Sequence, residues 1–247
     1  MSKRIRKNQV TEEVVDKPTK KAHKGVKKTA DLIRKPQVIK IGKKHDKPIF
    51  KCMKGQGKRR YLFGYRVQQT ATSMWVLERV LASHRPDLII ELGTGFGVLT
   101  TYFSVYGMFS DSDVEIISID LAPSVLREKI ELINDGKTQL LQKDIYAPET
   151  VKMIQDKINK AERPFILVDG KDPKSTEVNL YANGLKEGVV MFAHDAILEG
   201  NSRISWGFKE DKIDWNLVDR LEPFYTWAVE GDTRMLCMVT KNNLKKV

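Results

Sequence analysis

Cysteine is nearly missing from this chain: its 247 residues hold two, Cys52 and Cys237. A disulfide framework is thereby excluded, and neither cysteine stands at a metal-ligand spacing. No apolar run approaches the ~18 residues that a membrane helix needs. No apolar signal core follows the first lysines, so secretion is not indicated, and Glu12, Glu13 and Asp16 fit an organelle presequence poorly. The expectation from these absences is a cytoplasmic protein without a membrane partner.

Negative charge is scarce at one end only. Residues 1–60 carry 21 Lys and Arg against 5 Asp and Glu, a balance of +16, whereas residues 61–247 carry 22 against 27, a balance of −5. The net charge of +11 therefore belongs to the N-terminal quarter. Residues 1–45 have few aromatics and no sustained hydrophobic period, which predicts a solvated basic arm. Lys43, Lys44, Lys58, Arg59 and Arg60 are its candidate phosphate contacts, and Tyr61, Phe63 and Tyr65 offer stacking surfaces to unpaired bases. Nucleic acid is the expected partner; a solubilising or assembly arm is the alternative. The division read here is an arm over 1–60 and a folded domain over 61–247. Residues 48–54 and 60–66 flank Gly55-Gln56-Gly57, as a hairpin or as an ordered arm along the core.

Beyond residue 70 the pattern alternates. Apolar spacing predicts a helix over 73–83, a strand ending at Glu91, and a helix after Val98. Strands follow at 114–120, 138–143, 164–169 and 188–193, with helices at 124–133, 150–159 and 177–185 between them. A helix at 214–221 then precedes strands at 224–229 and 234–240, separated by Glu230-Gly231-Asp232, a hairpin signal. The fold class is α/β: a Rossmann-like, doubly wound, mainly parallel seven-stranded sheet with an antiparallel C-terminal strand pair and a basic N-terminal extension.

The most informative stretch is Asp87-Leu-Ile-Ile-Glu91-Leu-Gly93-Thr-Gly95-Phe-Gly97. A strand, a glycine-dense turn and a helix form the nucleotide-binding entry of such a sheet. The spacing is GxGxG rather than the GxGxxG of dinucleotide binders. Asp120 ends the second strand, where a carboxylate accepts from both ribose hydroxyls. Asp144 ends the third, either as acceptor for an adenine amino group or as a plain turn residue.

Glu91 before the glycines, Asp120, Asp144 and the final strand pair resemble a class I S-adenosylmethionine (SAM) methyltransferase over roughly residues 65–240. The resemblance implies SAM as cofactor, with Glu91, Gly93, Thr94, Gly95 and Gly97 toward its methionine part, Asp120 and Leu121 at the ribose, and Asp144 and Ile145 at the adenine. A narrower resemblance is carried by Gln68-Gln69-Thr70, Trp75, Arg85-Pro86-Asp87, Val168-Asp169-Gly170 and His194-Asp195. These are similar to the cephalosporin hydroxylase and rhamnosyl O-methyltransferase group. That group implies a divalent cation, Mg2+ or Mn2+, on Asp169 and Asp195, with His194 beside them. Two residues depart from the pattern: His194 stands where a second acidic residue is common, and Lys171 follows Asp169-Gly170 where an Asp-His pair is common. In a metal-free site Asp169, Lys171 or His194 would act as general base. Arg203 and Trp206 lie in the loop expected to cover the acceptor. The implied activity is methyl transfer to a hydroxyl or other nucleophile, on a nucleic acid bound by the arm. One alternative is a Mg2+-dependent O-methyltransferase of a sugar or small hydroxylated compound. The other is a catalytically degenerate fold used as a structural or nucleic-acid-binding component.

Overall fold

A computed structural model describes residues 60–62, 65–67, 69–110, 113–122, 136–170, 174–197, 208–209, 212–230 and 235–241. Two short strands, β1 (Arg60–Leu62) and β2 (Tyr65–Val67), pair antiparallel. Their register sets Leu62 opposite Tyr65, and the glycines of the expected turn, Gly55 and Gly57, lie outside the described residues. The segment 48–54 expected to join it lies outside the described residues.

The main sheet is built from β3 (Leu88–Leu92), β4 (Glu115–Asp120), β5 (Thr138–Gln142), β6 (Pro164–Val168) and β7 (Val190–His194), all parallel, followed by β10 (Val218–Arg220) and β11 (Met235–Thr240). Its order is β10-β11-β7-β6-β3-β4-β5. β11 runs antiparallel to both of its neighbours. Two-residue strands β8 (Ala196–Ile197) and β9 (Phe208–Lys209) pair parallel as a separate small sheet. The strands read as continuous apolar runs because both faces are covered. Leu88, Ile90 and Leu92 face a layer with α3 (Pro148–Lys160) and α4 (Lys174–Ala182). Ile89, Phe165 and Phe192 face the opposite layer with α1 (Ala71–His84), α2 (Val98–Phe109) and α5 (Phe224–Glu230). Ile89, Ile90 and Leu92 are fully buried, each worth about 1.5–3 kcal/mol of transfer free energy.

Local chemistry sets the helix ends. Thr70 caps α1 by accepting from the Ser73 amide at 2.9 Å. Pro148 opens α3, with Glu149 in its first turn and Lys157 and Lys160 in its last, matching the helix dipole. The helix expected over 124–133 lies outside the described residues.

The C-terminal region exchanges the two expected element types. Residues 214–221 form a turn and the edge strand β10, whereas 224–229 form helix α5 rather than a strand. Aromatic and β-branched content suggested the strand, but packing chose the helix. Tyr225 and Ala228 are buried three residues apart. Phe224 and Trp227 meet edge to face at 5.5 Å, and Trp227 lies 5.3 Å from Trp75 of α1. Glu222 ties down the first turn, its Oε2 accepting from the Thr226 amide at 3.3 Å and from the Thr226 hydroxyl at 2.7 Å. The antiparallel arrangement is kept, with β10 in place of the expected first strand of the pair.

Candidate functional site

The carboxyl ends of the parallel strands open on a cleft of about 650 Å³ lined by Glu91, Gly93, Thr94, Gly95, Asp120, Leu121, Asp144, Ile145, Asp169 and Asp195, among others. This is where open α/β sheets bind ligands. The turn after β3 is forced close to β6. Gly93 has φ +93, and a Cβ there would stand 2.3 Å from the Asp169 carbonyl oxygen. Its amide donates to the Ile119 carbonyl at 2.8 Å, while the Asp169 amide donates to Leu92 at 2.9 Å. Gly97, with φ +73, heads α2 and is set back from the cleft lining.

Glu91 forms the back wall and is 1% exposed. Its Oε2 accepts from the Ser118 hydroxyl at 2.6 Å and from the Thr100 hydroxyl. Ser118 has then used its proton, so the Thr94 hydroxyl donates to Ser118, 2.6 Å away. Burial pushes the Glu91 carboxyl up to about 8, against the pull of these two donors. Asp120 is held at the rim: Oδ2 accepts from the Gly95 amide at 3.0 Å and Oδ1 from Ala122 at 3.0 Å. Phe96 and Leu121 also line the cleft, yet remain 64% and 65% exposed. An aromatic ring and an aliphatic chain thus stand open beside a fixed carboxylate, as a nucleoside ligand requires. The Asp144 carboxylate accepts from the Tyr146 amide at 2.9 Å, folding the turn after β5.

The second half of the site lies at the ends of β6 and β7. Asp169, His194 and Asp195 bring one ligand atom each within 4.8 Å of one another. His194 Nδ1 lies 2.9 Å from Asp169 Oδ1 and 3.6 Å from Asp195 Oδ2. Facing a carboxylate, Nδ1 donates. Burial alone would discharge the imidazole, but the Asp169 and Asp195 carboxylates outweigh it and raise the His194 pKa. Asp195 adopts a left-handed φ of +57 where the chain leaves β7.

Three further residues support the cluster, none of them assigned a role by the sequence. Lys174 is 1% exposed, donates to the Gly170 carbonyl and lies 3.8 Å from Asp169 Oδ1. Glu177 is fully buried, accepts from the Gly170 amide at 3.1 Å and from the Tyr146 hydroxyl, and its pKa is raised by burial. Gln69 donates to Asp169 Oδ2 at 3.5 Å. Lys174 and Glu177 lie on one helix three positions apart, a spacing shared with ordinary surface pairs. Gln69 belongs to the Gln68-Gln69-Thr70 motif of the resemblance, which carries no role for it. Lys171, Arg203, Trp206, Lys43, Lys44, Lys58 and Arg59 lie outside the described residues; Arg60 is placed in β1 by its backbone alone.

A family model described as Rhamnosyl O-methyltransferase/CmcI matches residues 57–215, more than half of the sequence. The chain belongs to the rhamnosyl O-methyltransferase/CmcI family. It is a SAM-dependent methyltransferase. Solved structures of CmcI share its fold. The apo form is 14% identical over 73% of this chain and 76% of that one, with a TM-score of 0.57. CmcI with Mg and SAM is 14% identical over 74% and 76%, with a TM-score of 0.55. CmcI with S-adenosylhomocysteine (SAH) is 15% identical over 73% and 83%, with a TM-score of 0.51. Among curated proteins, none matches. No helix among the described residues is long and apolar enough to cross a membrane.

If Asp120 takes the ribose position expected of it, Asp120→Ala removes charge-assisted acceptors for the ribose as well as freeing the Gly95 amide. Each such bond is worth about 1.5–3 kcal/mol. Calorimetry with SAH is expected to show affinity falling about 100-fold; unchanged affinity would remove Asp120 from the ribose site.

Proposed function

We propose that this methyltransferase transfers the SAM methyl group to a hydroxyl, with cation assistance, at the junction of the cleft and the Asp169–His194–Asp195 cluster. The observation that carries the reading is that Asp169 and Asp195 line the same cleft as Asp120 and Gly93. In the reaction a hydroxyl oxygen attacks the methyl carbon in line with the departing sulfur. The C–O bond forms, the C–S pair stays on sulfur to give SAH, and the hydroxyl proton leaves. The donor is already activated, so the protein supplies alignment, exclusion of water and a route for that proton.

Two carboxylates and an imidazole within 4.8 Å fit a divalent cation, and CmcI has been solved with Mg and SAM. Asp169, His194 and Asp195 would hold it, and a bound cation lowers the pKa of a coordinated hydroxyl. Gln69 and Lys174 orient the Asp169 carboxylate. The Gly170 backbone is held from beneath by Lys174 and Glu177.

The acceptor we propose is a nucleic acid in an intracellular compartment, held by the arm over 1–60. The supporting observation is the +16 balance of those residues against −5 in the remainder. The family description, which names a rhamnosyl acceptor, favours a free or glycosidic sugar instead. Tritiated SAM offered with single-stranded RNA and, separately, with small hydroxylated sugars distinguishes them. RNA is expected to take up label. Replacing Lys43, Lys44, Lys58, Arg59 and Arg60 by alanine should weaken RNA binding and flatten its salt dependence by about 0.7 in slope per lost contact. Label in the sugar only, with RNA affinity unchanged in the variant, would favour the sugar.

A further inference from the structure

We infer that His194 turns the cation site of this chain away from Mg2+ and toward borderline first-row ions such as Mn2+ and Co2+. The inference rests on the cation-assisted reading above and concerns the metal that this chain's own donors select. Three features converge on it.

The first is geometric. Ligand atoms about 2.1 Å from one octahedral ion stand about 3 Å apart along an edge. His194 Nδ1 lies 2.9 Å from Asp169 Oδ1 and 3.6 Å from Asp195 Oδ2. The imidazole nitrogen is therefore one corner of the cluster, not a neighbour behind it. The second is the donor set. Mg2+ demands oxygen ligands and gives up water reluctantly, whereas imidazole suits first-row transition ions. A nitrogen in place of a third carboxylate removes one negative charge, on which Mg2+ binding depends most.

The third is Lys174. Its ammonium is 1% exposed and 3.8 Å from the Asp169 carboxylate. A fixed buried cation opposes any dication by the same Coulomb repulsion. An ion held by charge alone has nothing to offset it, but an ion that gains bonding from an imidazole does. Both the nitrogen and the lysine therefore act against Mg2+. On binding, Nδ1 must surrender its proton, leaving the ring protonated at Nε2.

The test uses the full-length protein stripped with EDTA. Calorimetry with MgCl2 and CoCl2 should show Co2+ bound about 100-fold more tightly than Mg2+ or better. Pulsed EPR of the Mn2+-loaded protein should show the nitrogen coupling of a directly bound imidazole. In His194→Glu that coupling should vanish and the Co2+ to Mg2+ preference should fall about tenfold or more. His194→Gln, which adds no charge, should lose the same coupling if the glutamate variant does not fold. SAH binding on the same samples reports that the cofactor half is intact. Cation binding without nitrogen coupling, or with Mg2+ as tight as Co2+, overturns this inference and leaves cation assistance standing. SAH binding with no cation bound overturns both.

Discussion

Gly93→Ala is expected to abolish SAH binding and to cost about 4 kcal/mol or more in stability, lowering Tm by about 10 °C. The added methyl would stand 2.3 Å from the Asp169 carbonyl oxygen and 2.8 Å from its carbon. Neither atom is the tip of a flexible side chain. The Asp169 amide is bonded to Leu92, and the Gly93 amide to Ile119, so relief requires β3 and β6 to part at their carboxyl ends. The backbone at φ +93 adds strain of its own. Gly95→Ala is the control: φ is +52 but nothing lies within 4 Å of its Cβ, so the cost should be about 1–2 kcal/mol. Differential scanning fluorimetry and SAH calorimetry on both variants decide the matter. A Gly93→Ala protein with wild-type melting would refute the close approach.

Glu91→Gln is expected to stabilise the protein at alkaline pH and to flatten its pH dependence. The Glu91 carboxyl is held up to about 8 by burial, against a reference of 4.5. Between those values the folded state keeps a proton that the unfolded state has released, so wild-type stability falls as pH rises from about 4.5 to 8 and then stays low. Below about 4.5 both states are protonated and the group is neutral to stability. Glutamine is isosteric, uncharged throughout, and still accepts from Ser118 and Thr100. The variant should be the more stable by up to roughly 4 kcal/mol near pH 8.5 and nearly equal near pH 5. Denaturant titrations across that range provide the check; parallel curves for the two proteins would mean that Glu91 is not the group responsible.

The glycine-turn half of the cleft was legible in the sequence because its pattern is local. An apolar strand and three glycines two apart are contiguous in the chain, and the acidic residue follows at the end of the very next strand. The acceptor half is assembled from β6, α4 and β7. Asp169, His194 and Asp195 were recognisable through a resemblance, but the buried positions of Lys174 and Glu177 were not. Charged helix residues are ordinarily solvated, and only tertiary structure shows that both turn inward beneath Gly170. The exchange of helix and strand at 214–230 has a similar origin. The composition Phe-Tyr-Thr-Trp-Ala-Val is β-like, yet Trp227 and Ala228 find their partners on α1 and the sheet only as a helix.

The close backbone contact between Gly93 and Asp169 has a thermodynamic consequence. The glycine loop after β3 and Asp169 of the Asp169–His194–Asp195 cluster form one wall, with no side chain between them. Occupants on either side then act on a common element, and any change one makes in the other's affinity is reciprocated by the same factor. Under the proposed function, donor and cation would be sensed together, through the absence of a single methyl group.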